Sequence, residues 1–82
     1  MKALVLENQG EPFVLKDVPD PKAGPAEAVA KVLACGAGLT IQHYKIGRSH
    51  IETPRIIGHE ITAEIVEIGP GVSNVKVGDA VT

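Results

Sequence analysis

Three prolines and a glycine fall within seven residues, Pro19-Asp20-Pro21-Lys22-Ala23-Gly24-Pro25. The prolines remove three backbone donors and fix three φ angles, so neither a helix nor a strand can run through this stretch. It reads as an ordered but irregular surface loop that acts as a connector. Glycines and prolines also interrupt the chain at Asn8-Gln9-Gly10, Gly47, Pro54, Gly58 and Gly69-Pro70-Gly71. The apolar runs left between these breaks are short, and short runs between turn signals favour strands over long helices.

Lys2 to Glu7 predicts a first strand and Pro12 to Val18 a second, joined at Asn8-Gln9-Gly10 as an antiparallel hairpin. Glu27 to Cys35 predicts the longest strand, and its Ala, Val and Leu on both faces predict burial on both sides at the far end. Leu39 to Ile46 predicts one short helix that ends at Gly47, with Leu39, His43 and Ile46 on one face. The strand from Ile61 to Ile68 changes phase partway, which predicts either a bulge or a change of burial near Ile65-Val66. Val75 to Val81 reads as a turn opening another strand. Short strands, Gly/Pro turns and one helical segment indicate a mainly β fold, a small, partly open β-barrel.

Eighty-two residues make one small domain at most, or a piece of a larger one. At 44% hydrophobic content a core is expected, and with Phe13 and Tyr44 the only aromatics it must be aliphatic. A chain of this size has little stability to spare, and the single cysteine, Cys35, allows no internal disulfide. A net charge of −2 and a pI of 5.8, with no aromatic platforms for bases, argue against a nucleic-acid surface. No apolar run approaches membrane-spanning length and no signal-peptide core follows Met1, so a cytoplasmic protein is expected.

Chemistry concentrates in Pro54-Arg55-Ile56-Ile57-Gly58-His59-Glu60, which runs straight into the apolar stretch from Ile61. His59 offers an imidazole and Glu60 a carboxylate at a strand mouth, where their side chains would start on opposite faces. Taken alone, the pair is simply a turn with two solvent-facing polar residues. Likewise Thr40 reads as the N-cap of the helix, His43 as a packed or surface histidine, and Glu64 and Glu67 as solvent charges that guard a sheet.

Four separated motifs agree with one family: Met1-Lys2-Ala3, Val32 to Gly38 ahead of a short helix, Gly58-His59-Glu60, and Val77-Gly78-Asp79. Together they resemble the N-terminal, GroES-like part of the zinc-type medium-chain alcohol dehydrogenases and reductases. The resemblance covers essentially all 82 residues, and the histidine points away from the zinc-free quinone-reductase branch. It implies that His59 corresponds to a ligand of a catalytic Zn2+, with Glu60 as the adjacent carboxylate. Thr40 would contact the substrate oxygen, and His43 would end a proton relay. A bound zinc polarises such an oxygen, and hydride leaves for a nicotinamide held by a separate Rossmann domain.

The chain departs from the family at two positions. Gly38 stands where the family has a cysteine ligand, and Ile41 stands where an acidic residue orients the zinc-binding residues. Residues 1–82 therefore read as part of a GroES-like catalytic domain with a degraded zinc site and no Rossmann cofactor domain, so NAD(P) could act only through a domain this chain lacks. The parent would be an NAD(P)-dependent oxidoreductase acting on a small-molecule alcohol or carbonyl, with room for a homo-oligomer, and the chain alone would be inactive. The alternative is a stand-alone GroES-like barrel that has lost catalysis and serves as an interaction module.

Overall fold

The computed structural model describes residues 1–82, and its elements run β1 (Lys2–Val5), β2 (Val14–Asp17), β3 (Ala28–Cys35), α1 (Leu39–Ile46), β4 (Ile61–Ile68) and β5 (Ala80–Val81). Mainly β structure with one short helix is what the spacing of turns predicts. No helix is long and apolar enough to cross a membrane. Two compact units form, one from Met1–Pro19 with Gly36–His59 and the other from Asp20–Cys35 with Glu60–Thr82.

In the first unit, β1 and β2 pair antiparallel from Lys2 opposite Asp17 to Val5 opposite Val14. Beyond β1 the chain continues extended, and Leu6 forms an antiparallel bridge with Arg55 through two backbone hydrogen bonds of 2.8 and 2.9 Å. Leu6 is fully buried there, with Val5 and Ile41. Helix α1 covers the predicted residues and stops at Gly47, whose left-handed φ of 87° lets its own N–H donate to Tyr44 O at 3.3 Å and the Arg48 N–H donate to His43 O at 2.9 Å. The buried face is not the predicted one. Leu39 and Ile46 are exposed, whereas Ile41 is buried and Tyr44 and Lys45 are half-buried. Positions 41, 44 and 45 share a face at helical spacing, so the stripe lies on the opposite side of the helix from Leu39 and Ile46.

Gln9 fastens this unit in a way that its turn-like setting conceals. Its Nε2 donates to the carbonyls of Tyr44 at 2.8 Å and Ser49 at 2.6 Å, while the Gly10 N–H donates to Lys45 O at 2.6 Å. One side-chain amide thus ties the last turn of α1 to the segment that follows it. Gln9→Ala is expected to lower stability by about 1–2 kcal/mol in urea unfolding. Gln9→Glu should cost more, because it turns a carboxylate toward two carbonyl oxygens.

The second unit is a three-stranded antiparallel sheet ordered β3-β4-β5. Its register skips Val66 between the Val29–Glu67 and Ala30–Ile65 pairs, and skips Leu33 between Val32–Ala63 and Ala34–Thr62. The first irregularity is a bulge, so of the two explanations for the phase change of this strand the bulge is the one found. Ala63 and Ile65 are buried, but β3 is not buried on both sides: Val32 and Leu33 are 56% and 61% exposed. Its only partner strand is β4, and no further layer of the unit covers its faces.

The Pro19–Pro25 loop is irregular as expected, yet it does more than connect. Gly24-Pro25-Ala26-Glu27 makes a type II turn, closed by Glu27 N–H to Gly24 O at 3.1 Å, with Ala26 at φ 60°. Gly69 N–H donates to Glu27 O and Ala26 N–H to Pro70 O, both at 2.8 Å, so the two turns dock backbone to backbone. Glu67, expected as a free surface charge, instead accepts the Ala23 N–H.

At the end of the sheet, the Lys76 N–H donates to Asp79 Oδ2 at 2.9 Å, and the Lys76 ammonium lies 3.3 Å from Oδ1. That backbone N–H lowers the Asp79 carboxyl below its ordinary value; desolvation opposes it and the ammonium adds to the lowering. A carboxyl whose pKa is depressed in the folded state contributes stability above its unfolded pKa and loses it as pH falls through the folded one. Asp79→Ala should therefore lower the unfolding midpoint at pH 7, and the gap to wild type should close as pH falls below about 4.

Candidate functional site

The first unit carries a cleft of about 430 Å³ lined by the start of α1 (Thr40, Ile41, Tyr44), by Ile51, and by the stretch Arg55 to His59. Two features of the chain set its shape. The Leu6–Arg55 bridge fixes the backbone at one end of the Arg55–His59 stretch. At the other end Gly58 holds φ 145°, a value that side-chain-bearing residues rarely adopt.

The structure brings Thr40 and His59 together on the wall of this cleft. His43 lies on the same helix, half-buried, but does not line it. Thr40 is not the N-cap: that position is Gly38, which makes no side-chain cap bond, and Thr40 is exposed within the first turn. The hydroxyl is therefore left without the capping role that its place near the helix start suggests. His59 and Glu60 are both exposed and precede β4, with His59 in a bend. The strict alternation of a strand does not govern their directions.

The donor set does not fit a firmly held zinc. A catalytic zinc takes three protein ligands and keeps a fourth position for water or substrate. Nowhere in the chain do three or more His, Cys, Asp or Glu side chains gather where they could hold a metal ion. At position 38 glycine offers no donor atom. Ile41, at the place of the orienting acid, is 8% exposed and belongs to the small core.

Arg55 is the cleft residue that sequence reasoning passes over. Its backbone is pinned by the bridge to Leu6, while its guanidinium enters no ion pair or hydrogen bond within the chain. The signal for it is present in the sequence as a single cation in an otherwise apolar run, Pro54-Arg55-Ile56-Ile57.

Comparison with known proteins identifies the domain as GroES-like. Residues 24–82 match the alcohol dehydrogenase GroES-like domain family, and the chain belongs to that family. It is 43% identical over 86 aligned residues to an L-threonine 3-dehydrogenase of Pyrococcus horikoshii, covering all of this chain and 25% of that protein. To an alcohol dehydrogenase of Geobacillus stearothermophilus it is 40% identical over 83 residues, covering 99% of this chain and again 25% of the relative. The NADP-bound crystal structure of a candidate zinc-binding dehydrogenase from Sinorhizobium meliloti superposes with a TM-score of 0.92 at 33% identity, over 99% of this chain and 23% of that one. The chain thus spans about a quarter of the length of these relatives. The zinc-type dehydrogenase family expected from the four motifs together is the one found.

Proposed function

We propose that this chain is the substrate-side portion of an NAD(P)-dependent, alcohol dehydrogenase-like oxidoreductase whose catalytic zinc site has been depleted. The observation that carries the reading is the shared cleft: Thr40 and His59 line one wall system, fixed by the Leu6–Arg55 bridge and by Gly58. The dehydrogenase relatives support the reaction class and the small-molecule alcohol substrate.

In this reading the Thr40 hydroxyl donates to or accepts from the substrate oxygen. His59, with Glu60 beside it in the chain, would be what remains of the metal ligands. Ile41, Ile51, Ile56 and Ile57 give the cleft an apolar lining that favours an aliphatic substrate. His43 would pass a proton toward solvent. A cytoplasmic setting fits the single cysteine and the absence of any need for disulfides.

The test is to graft residues 1–82 in place of the matching quarter of a full-length relative and assay alcohol-dependent reduction of NAD(P)+. Low activity with Gly38, rising at least about tenfold on Gly38→Cys and falling again on Thr40→Ala, is the expected pattern. If neither chimera turns over while both bind dinucleotide, the reaction class is wrong and a non-catalytic GroES-like interaction module takes its place.

A further inference from the structure

We infer that Arg55 is the anchor for a carboxylate, so that the cleft takes a small aliphatic hydroxy acid by its anionic end. The inference rests on the alcohol-oxidoreductase reading for the orientation of the ligand, with its hydroxyl toward Thr40, but the anchor itself follows from the cleft's own charges.

The lining contains one permanent cation and no acidic residue. Arginine is charged at every accessible pH, and its planar fork matches a carboxylate through two parallel N–H···O bonds. In a folded chain such a fork is commonly occupied by a neighbouring Asp or Glu, yet Arg55 has no ion-pair partner here. Lys16 makes the contrast. It lines a second depression, of about 470 Å³, that Arg55 also borders, and its ammonium is already taken by Glu7 at 2.5 Å. Of the two cations only Arg55 is open to a ligand.

Position adds a second argument. The two backbone bonds to Leu6, itself completely buried, fix the main chain of Arg55 at the edge of the cleft, and its side chain is exposed to an incoming ligand. The remaining wall is mostly isoleucine, with the Thr40 hydroxyl at the helix end. A molecule that satisfies all three features has an anionic head, a short aliphatic body and a hydroxyl. A volume of about 430 Å³ suits a small molecule of this kind.

The experiment is a heteronuclear NMR titration of the 82-residue chain in low-salt buffer with 3-hydroxybutyrate, with 1,3-butanediol as the same alcohol without the carboxylate, and with inorganic phosphate. The hydroxy acid should give saturable shifts at the Arg55 side chain, Ile57 and Thr40, weakened by added salt. The diol should bind at least about tenfold more weakly, and Arg55→Gln should weaken the hydroxy acid to the same degree. Arg55→Lys should retain part of the affinity, which separates loss of the anchor from loss of the fold, while Lys16→Gln should change nothing. Equal binding of the diol would overturn the anchor and leave the alcohol reading standing. Tighter binding of phosphate than of the hydroxy acid would overturn the carboxylate, and an unaffected Arg55→Gln or no saturable binding at all would overturn the site.

Discussion

Gly69→Ala is expected to unfold the three-stranded unit at ambient temperature, with a loss of about 3 kcal/mol or more. A Cβ built at Gly69 would lie 1.9 Å from the carbonyl oxygen of Gly24 and 3.2 Å from that of Glu27. Both are backbone atoms, locked by the Gly69–Glu27 and Ala26–Pro70 hydrogen bonds, so neither can swing aside as a flexible side chain would. Relief requires the two turns to separate, and separation breaks those bonds. Gly71→Ala is the matched control. It meets nothing within 4 Å but sits at φ 84°, so it should cost only about 1 kcal/mol. Chemical unfolding of both variants checks the contrast. A loss for Gly69→Ala no larger than for Gly71→Ala would mean that the turns are not docked as described.

Much of the fold was legible in the sequence because local chemistry decides it. Gly47 ends α1 where the left-handed requirement falls, and the phase change in Ile61–Ile68 reports the bulge at Val66. What the sequence did not show depends on contacts between distant segments. The buried stripe of α1 follows what packs against it, so Ile41 is inside although Leu39 and Ile46 are the larger apolar pair by position. Gln9 reads as a turn residue until its two carbonyl partners, 35 and 40 residues away, are known. The exposure of Val32 and Leu33 has the same origin, since an apolar strand cannot reveal from its own residues whether another layer covers it. For the site, Gly58-His59-Glu60 led to the cleft, but Arg55 gained meaning only when its missing ion-pair partner could be seen.

The largest gain of function is expected from Gly38→Cys, which should raise zinc affinity by about tenfold to a hundredfold. Gly38 has φ −86° and ψ −179°, ordinary extended values, so a side chain there meets no backbone penalty. A thiolate would add a soft ligand where the family resemblance places one. Restoring the acid as well, by Ile41→Asp, would defeat the purpose. Ile41 is one of the few buried side chains, and an unpaired carboxylate in its place should cost several kcal/mol. Gly38→Ser separates the metal effect from the effect of adding a side chain, and His59→Ala in the Gly38→Cys background should abolish the gain. Chelator-competition titrations of the reduced proteins read all four. No gain from the thiolate would show that position 38 does not face His59 as the resemblance implies.

Depletion of the zinc site is the central claim, and zinc content after dialysis tests it most directly. The wild-type chain, loaded with zinc and dialysed against metal-free buffer, should retain well under one zinc per chain by atomic emission and give up the remainder to a mild chelator. One zinc held per chain through dialysis would contradict the account, because His59 and Glu60 would then have found a further ligand that the structure does not assemble.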